Sequence, residues 1–267
     1  MTEEGITAGY VTVDGVRTFY EECGPRDGHD VVLVHTAGAE GLEWRHVLPR
    51  LGEDGYHALT LDLPGHGKSL AHPDGHIDSM HEFAEFVWAF AAEMDLESPT
   101  VAGCSIGGDV VLDLAVHHAD ELTSIVCLEG ALRTPTYPPG FLMMMETAGG
   151  MPSFERFYYN ASVQCHGGDA DPARVEEHAF LHQHAIRNVT HADLTAWNTH
   201  DVLERADDIT CPVLYVFGED DYFLPEEYVE ETVDALADCE YRPMEGIGHY
   251  PMLETDEFYG DLTAFLG

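Results

Sequence analysis

The sequence predicts an α/β fold, an eight-stranded, mostly parallel sheet with helices on both faces and a helical cap inserted after strand 6. Three observations predict it. Apolar runs of strand length recur along the 267 residues with helical segments between them, the order that builds a covered parallel sheet. One gap between such runs, residues 131–211, is far too long for a simple crossover. No Ser/Gly-rich linker or internal repeat divides the chain, so one compact unit is expected, with residues 1–130 and 212–267 as its core domain and 131–211 as the cap.

The elements follow in order. "VTVDGVRTFYEE" (11–22) reads as a hairpin with Asp14-Gly15 as its two-residue turn. Strands follow at 31–35 (VVLVH), 57–62 (HALTLD), 100–104 (TVAGC), 124–129 (SIVCLE), 212–217 (PVLYVF) and 240–244 (EYRPM), eight in all with the two of the hairpin. Apolar residues at three- and four-residue spacing mark helices at 79–94, after Ser105, at 225–237 and at 255–266. The long gap holds Pro and Gly clusters, the Met-rich "FLMMMET", the aromatic "FERFYYN", and helices near 152–164, 172–188 and 191–199.

Charge narrows the function classes. Eleven basic residues stand against 50 acidic ones, for a net charge of −39, and Lys68 is the one lysine. Nucleic acid and anionic membranes are poor partners for such a surface, and no apolar run approaches the roughly 20 residues of a membrane span. The N-terminus carries two acids and no basic stretch, so a cytoplasmic location is expected. The six cysteines lie far apart without a C-x-x-C pair, which reads as reduced, structural thiols. A small-molecule substrate, and a monomer or homodimer, complete the expectation.

The scattered acids repel one another unless salt screens them, and at molar ionic strength the Debye length falls to about 3 Å. A high-salt cytoplasm is therefore the expected setting. The melting midpoint should rise from dilute buffer to molar NaCl and should rise less in an equally concentrated uncharged osmolyte. A midpoint flat in NaCl, or raised equally by the osmolyte, removes the electrostatic argument.

"GCSIGG" (103–108) lies between a strand and a helix. A serine hydroxyl is a weak nucleophile until an imidazole removes its proton, and the imidazolium needs an acid to orient it. G-x-S-x-G at a strand-to-helix turn, followed by an acid and then a His, is the nucleophile-elbow order. Ser105 comes first, the acids of "FGEDD" follow a later strand, and His249 stands in "GIGHYP" after the last one. Parallel sheets place their ligands at these strand ends.

With these motifs, and with "VVLVHTAG", "LDLPGHGKS", "VFGEDDYFLP" and "GIGHYPMLE", the sequence resembles the α/β-hydrolase family from about Val11 to Phe265. The resemblance implies Ser105 as nucleophile, His249 as base and Asp221, counted from Gly218, as orienting acid. It also implies an oxyanion hole made by the backbone N–H groups of Ile106 and, by position in the motif, Ala37. The sequence departs from the family at Thr36, where a glycine usually follows the His. There the Thr36 hydroxyl is an alternative donor.

Other candidates carry blander readings. Glu129 ends the strand before the cap, where some α/β hydrolases put their acid, and reads here as a polar pocket-wall group. Cys104 reads as a small buried spacer, and His35 as a brace for the oxyanion loop. His178, His182 and His184 invite a metal reading, but no H-E-x-x-H is present, so no metal is expected. Asp62, His66 and Lys68 read as a loop-stabilising turn. Phe141, Met143, Met144, Met145, Phe157, Tyr158 and Trp197 are candidates for an apolar pocket, with Thr36, Glu129, Met144 and Trp197 as substrate contacts.

The expected function is a cofactor-independent serine hydrolase that cleaves a small, partly apolar ester or lactone through an acyl-enzyme. Two alternatives use the same triad: carbon–carbon hydrolysis of dienoate-type products and cofactor-free perhydrolysis. A ligand-binding module without catalysis is the non-enzyme alternative.

Overall fold

Asp14 and Gly15 both have positive φ, 47° and 81°, as a type I′ hairpin turn requires. They join β1 (Thr7–Val13) to β2 (Val16–Cys23), paired antiparallel with Val13 opposite Val16. The computed structural model describes residues 5–140, 142–143 and 154–267. Beyond the hairpin come β3 (Asp30–Val34), β4 (His57–Leu61), β5 (Thr100–Cys104), β6 (Ser124–Leu128), β7 (Val213–Gly218) and β8 (Cys239–Met244). The sheet order is β1-β2-β4-β3-β5-β6-β7-β8. The pairs from β4 through β8 are parallel, and β1 and β2 are the antiparallel margin.

The helices with both ends among the described residues are α1 (Leu48–Glu53), α2 (Met80–Glu93), α3 (Ile106–His118), α4 (Phe154–Gln164), α5 (Pro172–His182), α6 (Arg187–Trp197), α7 (Glu226–Ala235), α8 (Pro251–Glu254) and α9 (Glu257–Leu266). Successive strand residues feed opposite faces. Val32 and Val34 pack with Phe83 and Phe90 of α2 and Val110 of α3. Val31 and Leu33 pack on the other face with Trp44, Leu51 of α1 and Phe258 of α9. Every residue of β5, β6 and β7 is buried, as strands covered on both faces must be. Among the described residues no helix is long and apolar enough to cross a membrane.

All eight predicted strands are present; the short helix α1 has no counterpart among the expected helices, and the other differences lie at element ends. β1 begins at Thr7 rather than Val11 because the ladder continues to Thr7 opposite Glu22, and an edge strand with exposed residues shows little apolar pattern. The helix expected over 172–188 stops at His182. There Ala185 N–H folds back to the His182 carbonyl at 3.1 Å, and Ile186 is extended. α6 consequently starts at Arg187 rather than 191. The C-terminal helix has a separate turn, α8, before it, and the Thr255 hydroxyl accepts the Glu257 N–H at 3.1 Å.

The order β4-β3-β5 reverses direction at β3, since β4 lies on one side of it and β5 on the other. At such a switch point the loops leaving two neighbouring strands diverge and open a crevice. The loop after β3, carrying Thr36 and Ala37, and the turn after β5, carrying Ser105, flank that crevice.

Candidate active site

Ser105 has φ 57° and ψ −121°, a conformation that a side-chain-bearing residue adopts only when its surroundings impose it. The surroundings are glycines. A Cβ on Gly103 would overlap the Gly107 carbonyl, and one on Gly107 would come within 2.6 Å of the Val34 carbonyl. Strand and helix therefore approach closely enough to force a sharp corner, with Ser105 N–H on the Leu128 carbonyl at 2.9 Å.

Asp221 and His249 follow β7 and β8. His249 Nδ1 donates to Asp221 Oδ2 at 2.9 Å, the Asp221 side chain is fully buried and that of His249 is 6% exposed. The second Asp221 oxygen accepts Phe223 N–H at 2.7 Å. Burial alone would push this carboxyl up, but the charge and hydrogen bond of His249 outweigh it, and Asp221 lies below its ordinary value. Asp220 is exposed and accepts Gly168 N–H at 3.1 Å instead. With Nδ1 occupied, Nε2 is the ring nitrogen left for a proton acceptor's task.

Ser105 and His249 line one cavity of about 540 Å³, together with Thr36, Ala37, Ile106 and Glu129 from the strand ends. The segment between β6 and β7 contributes Tyr137, Tyr158, Leu194 and Trp197 to the same cavity, and the Tyr137 and Trp197 rings stack with centroids 4.4 Å apart. Met143 is 62% exposed and is not among the lining residues. Phe141, Met144, Met145 and the Phe157 side chain lie outside the described residues.

The loop after β3 is fixed at almost every peptide. Thr36 gives both its N–H and its hydroxyl to the two oxygens of Glu43, each at 2.9 Å. Its hydroxyl is thus engaged away from the cavity, which corrects the alternative that it serves as an oxyanion donor. His35, pushed down to about 4 by burial, is neutral, so Nδ1–H donates to the Thr36 carbonyl at 2.8 Å and Nε2 accepts Leu63 N–H at 3.1 Å. His182 of α5, likewise pushed down to about 4 by burial, donates from Nε2 to the Ala37 carbonyl at 3.0 Å. Gly38 N–H goes to Asp193 of α6 at 2.9 Å. Among the described residues the N–H groups of Ala37 and Ile106 donate to no other protein group, and both residues line the cavity. Two N–H donors without partners beside a serine are what an oxyanion site requires.

Residues 27–256 match a family model, Hydrolase_4, described as "Serine aminopeptidase, S33". The chain belongs to this α/β-hydrolase family. The hydrolase is 26% identical to the non-heme chloroperoxidase of Burkholderia pyrrocinia, over 96% of this chain and 99% of that one. It is also 26% identical to the bifunctional esterase/perhydrolase DCH of Acinetobacter calcoaceticus, over 97% and 99%. The enol-lactonase of Burkholderia xenovorans LB400 shares the fold with a TM-score of 0.86 at 20% identity, covering 97% of this chain and 99% of that one.

Of the residues that hold this hydrolase's site, Glu43 and Asp193 are absent from the sequence reading, and His182 stands there for its metal spacing alone. Glu43, His182 and Asp193 grip the loop, and their contacts span sequence separations of 7 to 155 residues. His66, read as part of a local turn, donates from Nε2 to Asp193 Oδ2 at 2.9 Å and from Nδ1 to the Pro64 carbonyl at 3.2 Å. Burial would lower its proton affinity, but Asp193 outweighs this and raises it above the ordinary histidine value. Of the turn's other members, Asp62 accepts Gly41 N–H at 2.8 Å and Lys68 N–H at 2.7 Å. His178, on the helix read for metal spacing, packs its ring 5.1 Å from His182 and bonds His166 Nε2 through Nδ1 at 3.3 Å. Cys104 is buried with its thiol pushed well up by burial, and none of the six cysteines is in a disulfide.

Proposed function

We propose that this hydrolase cleaves a small, uncharged, partly apolar carboxylic ester or lactone through an acyl-enzyme formed on Ser105. The observation that carries the reading is the strained Ser105 sharing one cavity with the His249–Asp221 pair. Ser105 Oγ attacks the substrate carbonyl while His249 Nε2 takes its proton. The charge developing on the carbonyl oxygen is received by the N–H groups of Ala37 and Ile106. His249 then returns the proton to the leaving alcohol, whose C–O bond breaks. Water, activated by the same imidazole, releases the acid, and Asp221 keeps the ring oriented and stabilises its cation throughout. None of these steps needs a cofactor.

Charge supports the uncharged substrate. No Lys or Arg lines the cavity among the described residues, and residues 141–153 contain neither. The Asp221 end of the triad adds negative charge, and aromatic rings form much of the wall. A carboxylate on the substrate would enter a largely apolar-walled cavity without a cationic partner, which is costly to the extent that it is desolvated there. The dienoate-type carbon–carbon substrates carry such carboxylates and are disfavoured.

The test compares p-nitrophenyl butyrate with the matching hemisuccinate ester, which adds one carboxylate to the acyl chain, and with a dienoate. The neutral ester should be preferred in kcat/KM by about 100-fold, the scale of an unpaired, partly desolvated charge. Efficient dienoate cleavage with no turnover of neutral esters or lactones would overturn the reading.

A further inference from the structure

Glu129 is a buried acid lining the cavity that the proposed reaction leaves without a task. It follows β6 with φ 51°, a left-handed conformation that costs a side-chain-bearing residue energy and is retained where the surroundings demand it. The corner is anchored by its neighbour, whose carbonyl accepts the Tyr215 hydroxyl. The residue is 1% exposed. Oε1 accepts Gly218 N–H at 2.6 Å, whereas Oε2 is buried and meets no directional hydrogen bond among the described residues. One oxygen of Glu129, one of Asp221 and a nitrogen of His249 lie within 4.8 Å of one another.

We propose that Glu129 is a positioning residue that stays protonated and shares its proton with the Asp221 carboxylate, keeping Asp221 ionised and aimed at His249. The inference rests on the Ser105–His249–Asp221 reading. Two carboxyls this close in a buried site cannot both be charged. The partners decide which one holds the proton. Asp221 accepts from His249 and from Phe223 N–H, while among the described residues Glu129 accepts from Gly218 N–H alone. Burial first and Asp221 second push Glu129 well above the ordinary carboxylate range, and Asp221 lies below its own.

The other titratable groups around Glu129 leave this balance intact. Glu254 is held by the N–H groups of Gly167, Gly248 and Tyr250, at 2.8, 2.8 and 3.0 Å. The thiols of Cys104 and Cys127 and the hydroxyls of Tyr215 and Tyr241 are pushed up by burial and stay neutral.

The test is the sign of a shift in the pH profile. Glu129→Leu removes the donor at similar volume and should lower kcat by about 10- to 100-fold, the range set by a hydrogen bond to a charged group. Asp221 without that donor attracts the His249 proton more strongly, so the acidic limb of kcat/KM should move to higher pH. Glu129→Gln offers a neutral donor to Asp221 and an acceptor to Gly218, and should rescue most of the lost activity with the limb near its original place. An ionised Glu129 gives the opposite sign, because either substitution would then remove an anion near His249 and move the limb to lower pH; that result overturns the proposal. Should Glu129→Leu not fold, an infrared difference spectrum of the wild-type enzyme against Glu129→Gln decides at neutral pH. A protonated-carboxyl carbonyl band is expected, and carboxylate bands alone overturn the inference. Full activity in Asp221→Asn would instead sink the triad reading, and the infrared band is read independently of it.

Discussion

Ser105→Ala and His249→Ala should each lower turnover by on the order of 10⁶-fold, the loss seen when a triad's nucleophile or base is removed. In the proposed mechanism the two side chains act as one unit. Without the imidazole the hydroxyl keeps its proton, and without the hydroxyl the imidazole has nothing to activate except water. A fluorophosphonate should label Ser105 in the wild-type protein and label nothing after Ser105→Ala. Labelling that survives the substitution, or a variant that turns over p-nitrophenyl esters at an undiminished rate, would place the nucleophile elsewhere. Stability is a separate readout. The corner at Ser105 is held by glycine contacts and backbone bonds, so an alanine there should melt close to wild type.

Asp221→Asn should cost about 10⁴-fold in kcat, as loss of the orienting carboxylate does in other triads. The amide presents an N–H where His249 needs an acceptor, which turns the ring to the wrong tautomer and withdraws the charge that stabilises the imidazolium. Asp220→Asn should stay near wild type, because Asp220 is exposed and holds Gly168 rather than the imidazole. Equal losses at the two positions would refute this assignment. The pH dependence of stability has a definite sign. Asp221 lies below its ordinary value in the folded chain, so its contribution is complete above the carboxylate range of the unfolded chain. It disappears as pH falls through the lowered folded value. The melting difference between wild type and Asp221→Asn should accordingly narrow in acid.

The sequence reading located each strand because the evidence for a strand is local. "VVLVH", "TVAGC" and "SIVCLE" carry their burial in consecutive residues, and the Asp14-Gly15 turn carries its conformation in two. The elbow was equally legible, since the glycines that force it lie within a few residues of Ser105. Helix ends between β6 and β7 were less so. Apolar spacing runs on through Gln183 and His184, while the chain turns there to pack α6 against the loop after β3, with the Thr190 hydroxyl close beside Gly38.

By itself, then, the sequence determined the class of sheet, the order of serine, acid and histidine, and the acidic surface, because each is written in composition or in short periodic runs. Only the tertiary structure decided how the loop carrying Ala37 is held. Its peptides are gripped by Glu43, His182 and Asp193 from three different elements, the last across 155 residues of chain. It also decided that the Thr36 hydroxyl donates to Glu43, and that Glu129 stands beside Asp221. A hydrogen bond depends on a few tenths of an ångström and on direction. Between residues far apart in sequence, that geometry exists only after the sheet has twisted, the helices have packed and burial has removed water as the competing partner.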